Sequence, residues 1–425
     1  MALSEPALLA GMELVGEFED SGYREPPHLV CRPDGQVVRL PALLYQVVRA
    51  LDALPARERT AAVAEELSRE TGRQFTADHV AFLIDKKLAP LGITTYSDGS
   101  PPPPMTLKSD PFLAFRFRVA VLPENVTWFL SGLFAWLFRP LLVVGALAAF
   151  VAGEVWLWST QDTGVALRTV LSSPAGVLLV VLLSIASCVF HEMGHGAACR
   201  YGGARPGAMG CGIYVVWPAF YTDITNSYRL GRAGRIRADL GGVYFNALFV
   251  LGLLALYVWT GNPLLLVAIL SVHLEMFQQL IPTLRFDGYY IVADLTGIPD
   301  LFKYIGPILK RVVLRRPHDE RLRALKRWPQ TVVAVWVVFL VPALVLQLGV
   351  VLMNMPRLIE ADWRTVNSLV ENAGTSGNQI LGMVAASLQI LLLTLPVVGL
   401  SLVLTRPVRS LGRVIRRRVS RRAPA

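Results

Sequence analysis

Two histidines and a glutamate lie together in the segment His191-Glu-Met-Gly-His195. On a helix, histidines four residues apart lie on one face, where both imidazoles can bind the same zinc ion. Glu192 lies beside them and can take a proton from a metal-bound water and return it to a leaving amine. The motif ends an apolar run, residues 176–190, where ionisable groups are unfavourable unless a metal compensates them. Buried histidines hydrogen-bonded to other helices are the alternative interpretation.

A catalytic zinc ion usually has three protein ligands and one open position, so a third ligand must come from another segment. The best candidate is Asp287, in the segment 282–290 at the end of a later apolar stretch. Topology places it at the same bilayer face as His195. Gly288 would let the backbone turn sharply, so that the carboxylate points into the helix bundle. The alternative is that Asp287 caps the segment that follows it.

The elements that must position these residues are mostly apolar. The chain has 425 residues, of which 53% are hydrophobic and 17% charged, against about 25% charged in typical soluble proteins. A membrane-spanning helix needs about 20 apolar residues. Six stretches meet that length, which predicts an all-α polytopic membrane core: 140–158, 175–196, 241–260, 263–281, 331–353 and 380–404. We interpret residues 128–138, before the first stretch, as an interfacial helix, with part of a longer span as the alternative.

The basic residues predict how these spans are oriented. The net charge is +10, but the Lys and Arg residues lie beside the apolar stretches, which indicates topology and contact with anionic lipid rather than nucleic acid. Six Arg residues lie between the second and third spans, nine Lys or Arg residues in 303–327, and eight Arg residues in 406–422. The opposite loops contain few. We therefore expect both termini to face the cytoplasm.

The first part of the chain predicts a small soluble α+β domain, residues 1–96. A turn at 32–35 leads into a strand, and apolar spacing predicts helices at 41–54 and 60–71, with Thr76 able to cap a third. We divide the rest of the chain into a linker and juxtamembrane segment, a membrane domain and a basic cytoplasmic tail: 97–126, 127–404 and 405–425.

The H-E-x-x-H motif and the downstream Asp-Gly resemble the site-2 protease family of intramembrane zinc metalloproteases, and more closely its bacterial peptide zinc metalloprotease members. The resemblance rests on the segments 191–200, 218–223 and 284–291. It implies a multi-pass enzyme of a bacterial plasma membrane that acts on a peptide or membrane-protein substrate. It also assigns the metal ligands and the general base, which are His191, His195 and Asp287, and Glu192.

The same resemblance implies that Asn246 binds the substrate carbonyl and the developing oxyanion. A hydrogen bond between helices is an equal alternative for this residue. The chain departs from the family pattern twice. Val243 stands where a proline commonly follows the glycine before that asparagine, and Ile281-Pro282 stands for Asn-Pro before the aspartate.

Residues 202–222 are apolar, rich in Gly and broken by a proline, which favours a re-entrant hairpin over a helix or a surface loop. In the family that the chain resembles, the edge strand of such a hairpin receives an extended substrate. We therefore expect Tyr214 and Phe220 to contact substrate and Asp223 to end the element without binding metal. His273 and Glu275, inside the fourth span, are expected to line a groove or to form a structural pair.

The N-terminal residues are similar to PqqD-like peptide-recognition domains, which are small winged-helix modules that bind leader peptides; a regulatory winged helix is the alternative. Two substrate hypotheses follow for the enzyme: maturation of a leader-bearing peptide, or regulated cleavage of a membrane-anchored signalling protein. The first is favoured because no extracytoplasmic domain interrupts the spans. A non-catalytic peptide-binding or immunity protein is the alternative from another class, and a zinc transporter is less favoured because no second metal site marks a pathway.

Overall fold

The computed structural model describes residues 5–54, 59–103, 115–214, 217–312, 315, 319–373 and a few positions between 380 and 394. Most of this chain is helical, and two small sheets are present, one in the N-terminal region and one beside the membrane helices.

The N-terminal region forms a three-stranded antiparallel sheet, in the order β1-β2-β3, that packs on helices. Its elements are β1 (Glu13–Glu17), β2 (His28–Cys31), β3 (Val37–Leu40), α1 (Ala42–Ala53), α2 (Arg59–Thr71) and α3 (Ala77–Leu83), followed by a π-helical turn at Ile84–Leu88. The turn before β3 and the three helices match the prediction, while β1 was not predicted. Thr76 caps α3, because its hydroxyl accepts a hydrogen bond from His79 N. The winged-helix assignment stays a prediction.

Five of the six predicted apolar stretches form helices that are long and apolar enough to cross a membrane, which indicates a membrane protein. The helices after the N-terminal region are α4 (Glu124–Ala135), α5 (Pro140–Thr160), α6 (Thr163–Leu171), α7 (Pro174–Tyr201), α8 (Arg232–Thr260), α9 (Pro263–Leu280), α10 (Asp287–Thr296), α11 (Ile305–Val312), α12 (Glu320–Arg323) and α13 (Arg327–Ala373). The long apolar ones are α5, α7, α8, α9 and part of α13. The predicted sixth span, 380–404, lies mostly outside the described residues, as does the basic tail.

The helices extend beyond the apolar stretches that predicted them. Helix α8 begins at Arg232, well before the apolar part, and α13 continues to Ala373 through the region expected to be a loop. Hydropathy marks only the part of a helix that suits lipid, whereas backbone hydrogen bonding continues into polar sequence. The predicted interfacial helix is α4 with a 3₁₀ turn at Trp136–Phe138.

A second antiparallel sheet lies next to the H-E-x-x-H helix, in the order β4-β5-β6. Its strands are β4 (Phe115–Leu122), β5 (Met209–Tyr214) and β6 (Trp217–Thr222). The predicted hairpin in 202–222 is therefore present as β5 and β6, and β4 lies in the segment interpreted as a linker. In this order β6 is an edge strand, with one side not paired to another strand of the described chain.

Candidate metal centre

Three side chains from two separate segments meet in the core of the helix bundle. His191 Nε2 lies 3.1 Å from His195 Nε2 and 3.1 Å from Asp287 Oδ2, and His195 Nε2 lies 3.5 Å from the same carboxylate oxygen. Both histidines are buried. The structure thus brings together the three residues that the sequence predicted as metal ligands.

The separations fit one metal ion. Four ligands placed tetrahedrally at about 2.0–2.2 Å from zinc are about 3.3–3.6 Å apart, close to the three separations between these donor atoms. Two imidazole nitrogens and a carboxylate oxygen are also a donor set that catalytic zinc sites use. His195 Nδ1 donates to the Ala238 carbonyl oxygen at 2.8 Å when Nε2 is the metal-binding nitrogen. Such a bond fixes the ring orientation and leaves Nε2 free for a metal.

Glycines bring α7 and α8 close enough to form this centre. A Cβ on Gly194 would lie 2.2 Å from Gly241 O, and one on Gly241 would lie 2.5 Å from Gly194 O. A Cβ on Gly242 would lie 2.4 Å from His191 Nε2 and 2.6 Å from His195 Nε2. These positions were not predicted from the sequence, although adjacent glycines inside a predicted span are a signal for close helix packing.

Asp287 is the first residue of α10, and its side chain is turned toward the histidines. We predicted that Gly288 permits a sharp turn through the conformational freedom of glycine. That reason was wrong, because Gly288 is not among the glycines with positive φ. A Cβ there would instead lie 2.1 Å from Leu280 O, so glycine allows α10 to start against the end of α9. Burial alone would raise the pKa of the Asp287 carboxyl, but His195 and His191 outweigh it and hold that pKa below its usual range.

Glu192 is held by the sheet rather than by the other helices. The Thr222 hydroxyl lies 2.8 Å from Glu192 Oε2 and 2.9 Å from the Glu192 backbone oxygen. Thr222 is the last residue of β6, so the edge strand ends at the predicted general base. Sequence reasoning missed Thr222, because nothing in the local pattern shows that the strand returns to α7.

Asn246 is fully buried in α8, one helical turn after Gly242. Its Oδ1 accepts a hydrogen bond from Ser187 Oγ at 3.3 Å, which links α8 to α7. The Glu275 side chain in α9 lies within hydrogen-bonding reach of both Asn246 and Ser187, and close to His191. The helix-linking interpretation of Asn246 therefore has partners on both neighbouring helices.

The other residues singled out in the sequence lie outside the metal cluster. His273 Nε2 lies 2.9 Å from Glu154 Oε1 in α5, which makes His273 part of a pair between two helices. Asp223 Oδ1 accepts hydrogen bonds from Thr225 and is not part of the cluster. Phe220 lies in β6 and is partly buried. Tyr214 ends β5, but its side chain is outside the described part of the structure.

No protein-family model matches this chain, and no solved structure matches it. Among curated proteins, the chain is similar to one from Bacillus subtilis (strain 168) named "Putative peptide zinc metalloprotease protein YydH". The two are 26% identical over 129 residues, which are 30% of this chain and 51% of the relative. The chain thus matches about half of the length of that relative. The similarity supports a metallopeptidase, and the His-His-Asp cluster is consistent with the metal in its name.

Proposed function

We propose that this chain is a zinc-dependent intramembrane endopeptidase of the site-2 protease type. The observation that carries the proposal is the His191, His195 and Asp287 cluster, whose donor atoms are spaced for one metal ion, with Glu192 of the same helix beside it. The named relative supports the same class of enzyme. A protein in which the metal is only structural would not require Glu192 to be held as it is by Thr222.

In this mechanism the chain's own residues bind and orient the reactants. His191, His195 and Asp287 would hold zinc, which when bound polarises a peptide carbonyl and lowers the pKa of a coordinated water to about 7. Glu192 takes a proton from the attacking water and returns it to the leaving amine. The Thr222 hydroxyl donates a hydrogen bond to Glu192 Oε2 at 2.8 Å, which limits the orientations that this carboxylate can adopt.

The edge strand β6 suits an extended substrate. Its free side can accept the backbone of a peptide by strand addition, and because β6 ends at Thr222, an added strand would run toward Glu192. Phe220, and Tyr214 on the neighbouring strand, are the proposed contacts for substrate side chains. Asn246, which is buried in α8 one turn after Gly242, is the proposed donor to the carbonyl oxygen through its Nδ2.

The proposed setting is a multi-pass protein of a bacterial plasma membrane with both termini in the cytoplasm, as the Lys and Arg distribution predicts. Substrate and water would then enter from the cytoplasmic side. For the substrate we favour a leader-bearing peptide captured by residues 1–96, with regulated cleavage of a signalling protein as the alternative.

Cleavage by the purified protein in liposomes tests this proposal. The protein would be mixed with zinc and a library of peptides, some tethered to an apolar segment, and new termini would be identified by mass spectrometry. We expect Glu192→Gln to bind zinc but to lose cleavage by about 10²–10⁴-fold, as for loss of a general base. Glu154→Gln is the matched control, because it changes another intramembrane glutamate outside the cluster. Equal cleavage by Glu192→Gln and wild type would contradict the assigned mechanism. If zinc-loaded wild-type protein cleaved none of the peptides, the non-catalytic binding protein would be favoured.

A further inference from the structure

The N-terminal region contacts the membrane core through the loop 18–24, between β1 and β2. Gly22 N donates to Gly297 O at 3.1 Å, and Lys326 N donates to Gly22 O at 2.8 Å. A Cβ at Gly22 would lie 2.2 Å from Thr296 O, so only glycine permits this approach. The loop is thus held between the end of α10 and the segment just before α13.

Arg235, near the start of α8, lies beneath this loop. Its side chain is 0% exposed. The guanidinium donates to Asp294 Oδ1 at 3.2 Å, to Leu230 O at 2.7 Å and to Glu19 O at 3.3 Å, and it packs over the Phe18 ring at 4.6 Å. A buried charge is stable only when its partners are in place. One side chain therefore joins the loop, α8 and α10.

From Arg235 the contacts continue to the metal centre. Asp239, about one turn further along α8, has its carboxyl group within hydrogen-bonding reach of Asp294 and close enough to His195 for their charges to interact. The preceding residue, Ala238, supplies the carbonyl that bonds His195 Nδ1 at 2.8 Å. Asp294 lies in α10, the helix that begins with Asp287. The helix that orients His195 and the helix that carries Asp287 are therefore the two that the guanidinium joins.

We propose that Arg235 is a positioning residue for the metal centre, and that through it the docked 18–24 loop sets the zinc affinity of His191, His195 and Asp287. This inference rests on the proposed zinc site. Metal ligands tolerate displacements of only about 0.2 Å, and loss of outer partners typically weakens metal binding by about 10–100-fold. A loop that releases α8 and α10 should therefore weaken zinc binding without changing any ligand.

Two variants disturb these contacts, one at Arg235 and one at Gly22 in the loop. Arg235→Lys keeps the positive charge, but one amine cannot reach the partners that the planar guanidinium spans. Gly22→Val removes no charged or hydrogen-bonding side chain and displaces the loop, because its Cβ would lie 2.2 Å from Thr296 O. Glu13→Gln is the matched control, because it removes the exposed ion pair between the same region and Arg229, which contributes little to docking.

The test is the zinc dissociation constant of the full chain in detergent, measured by competition with a chromogenic chelator, together with hydrogen exchange of residues 18–24. We expect Arg235→Lys and Gly22→Val to bind zinc at least about tenfold more weakly than wild type, with faster exchange in the loop, and Glu13→Gln to match wild type. Zinc affinity within twofold of wild type in both variants would overturn the proposal. If Arg235→Lys does not fold, Gly22→Val decides the outcome. Wild-type protein that binds no zinc would instead contradict the proposed function.

Discussion

Replacing Gly242 by alanine perturbs the centre more directly than any change short of removing a ligand. The added methyl would lie 2.4 Å from His191 Nε2 and 2.6 Å from His195 Nε2, whereas non-bonded atoms of this kind are about 3.5 Å apart at optimal contact. The imidazoles must therefore shift relative to α8 by about 1 Å, several times the displacement of about 0.2 Å that metal coordination tolerates. We expect zinc affinity to fall by about 100-fold, or ~2.8 kcal/mol.

The assay is competition between the protein and a chelator of known zinc affinity, with the melting temperature of the metal-free protein measured in parallel. Gly252→Ala is the matched control, since Gly252 lies on the same helix and a Cβ there meets no atom within 4 Å. That control should bind zinc as wild type does. A Gly242→Ala protein that folds and binds zinc with wild-type affinity would refute the claim that the two Nε2 atoms face the metal.

Three further substitutions test how the centre is supported. Gly288→Ala should weaken zinc binding at least about tenfold in the same competition assay. Its Cβ would lie 2.1 Å from Leu280 O and displace Asp287. Unchanged zinc affinity would contradict the close approach of α9 and α10. Thr222→Val should leave zinc affinity unchanged and lower kcat by about tenfold, because Glu192 loses its hydrogen-bond donor. A tenfold loss of zinc affinity in this variant would indicate that Thr222 has a structural role instead. Ser187→Ala leaves the buried Asn246 Oδ1 without its partner and should reduce the free energy of unfolding by about 1–3 kcal/mol, seen as a lower melting temperature.

The helical core and the HExxH residues of the candidate site could be predicted because their signals are local. Apolar stretches of membrane length predict helices wherever they occur, and five of the six lie within long helices of the described chain. His191, Glu192 and His195 form one short motif on one helix face. Asp287 could be placed near the histidines only from the predicted topology, and its Oδ2 lies 3.1 Å from His191 Nε2.

The supporting contacts could not be predicted because they join segments far apart in the sequence. Thr222 reaches Glu192 only because β6 pairs with β5 and returns to α7. The roles of Gly242 and Gly288 depend on helix separations, and hydropathy contains no information about these. Docking of the loop around Gly22 on α10 depends on contacts across more than two hundred residues of chain.

Zinc content tests the assignment of His191, His195 and Asp287 as metal ligands. We would purify wild type, His195→Ala, Asp287→Ala and Glu192→Ala in detergent, load each with zinc, remove the excess and measure bound metal by mass spectrometry. We expect close to one zinc per chain in wild type and in Glu192→Ala, and clear loss in the two ligand variants. A folded wild-type protein that retains no zinc, or an Asp287→Ala protein that retains it fully, would contradict the site described here.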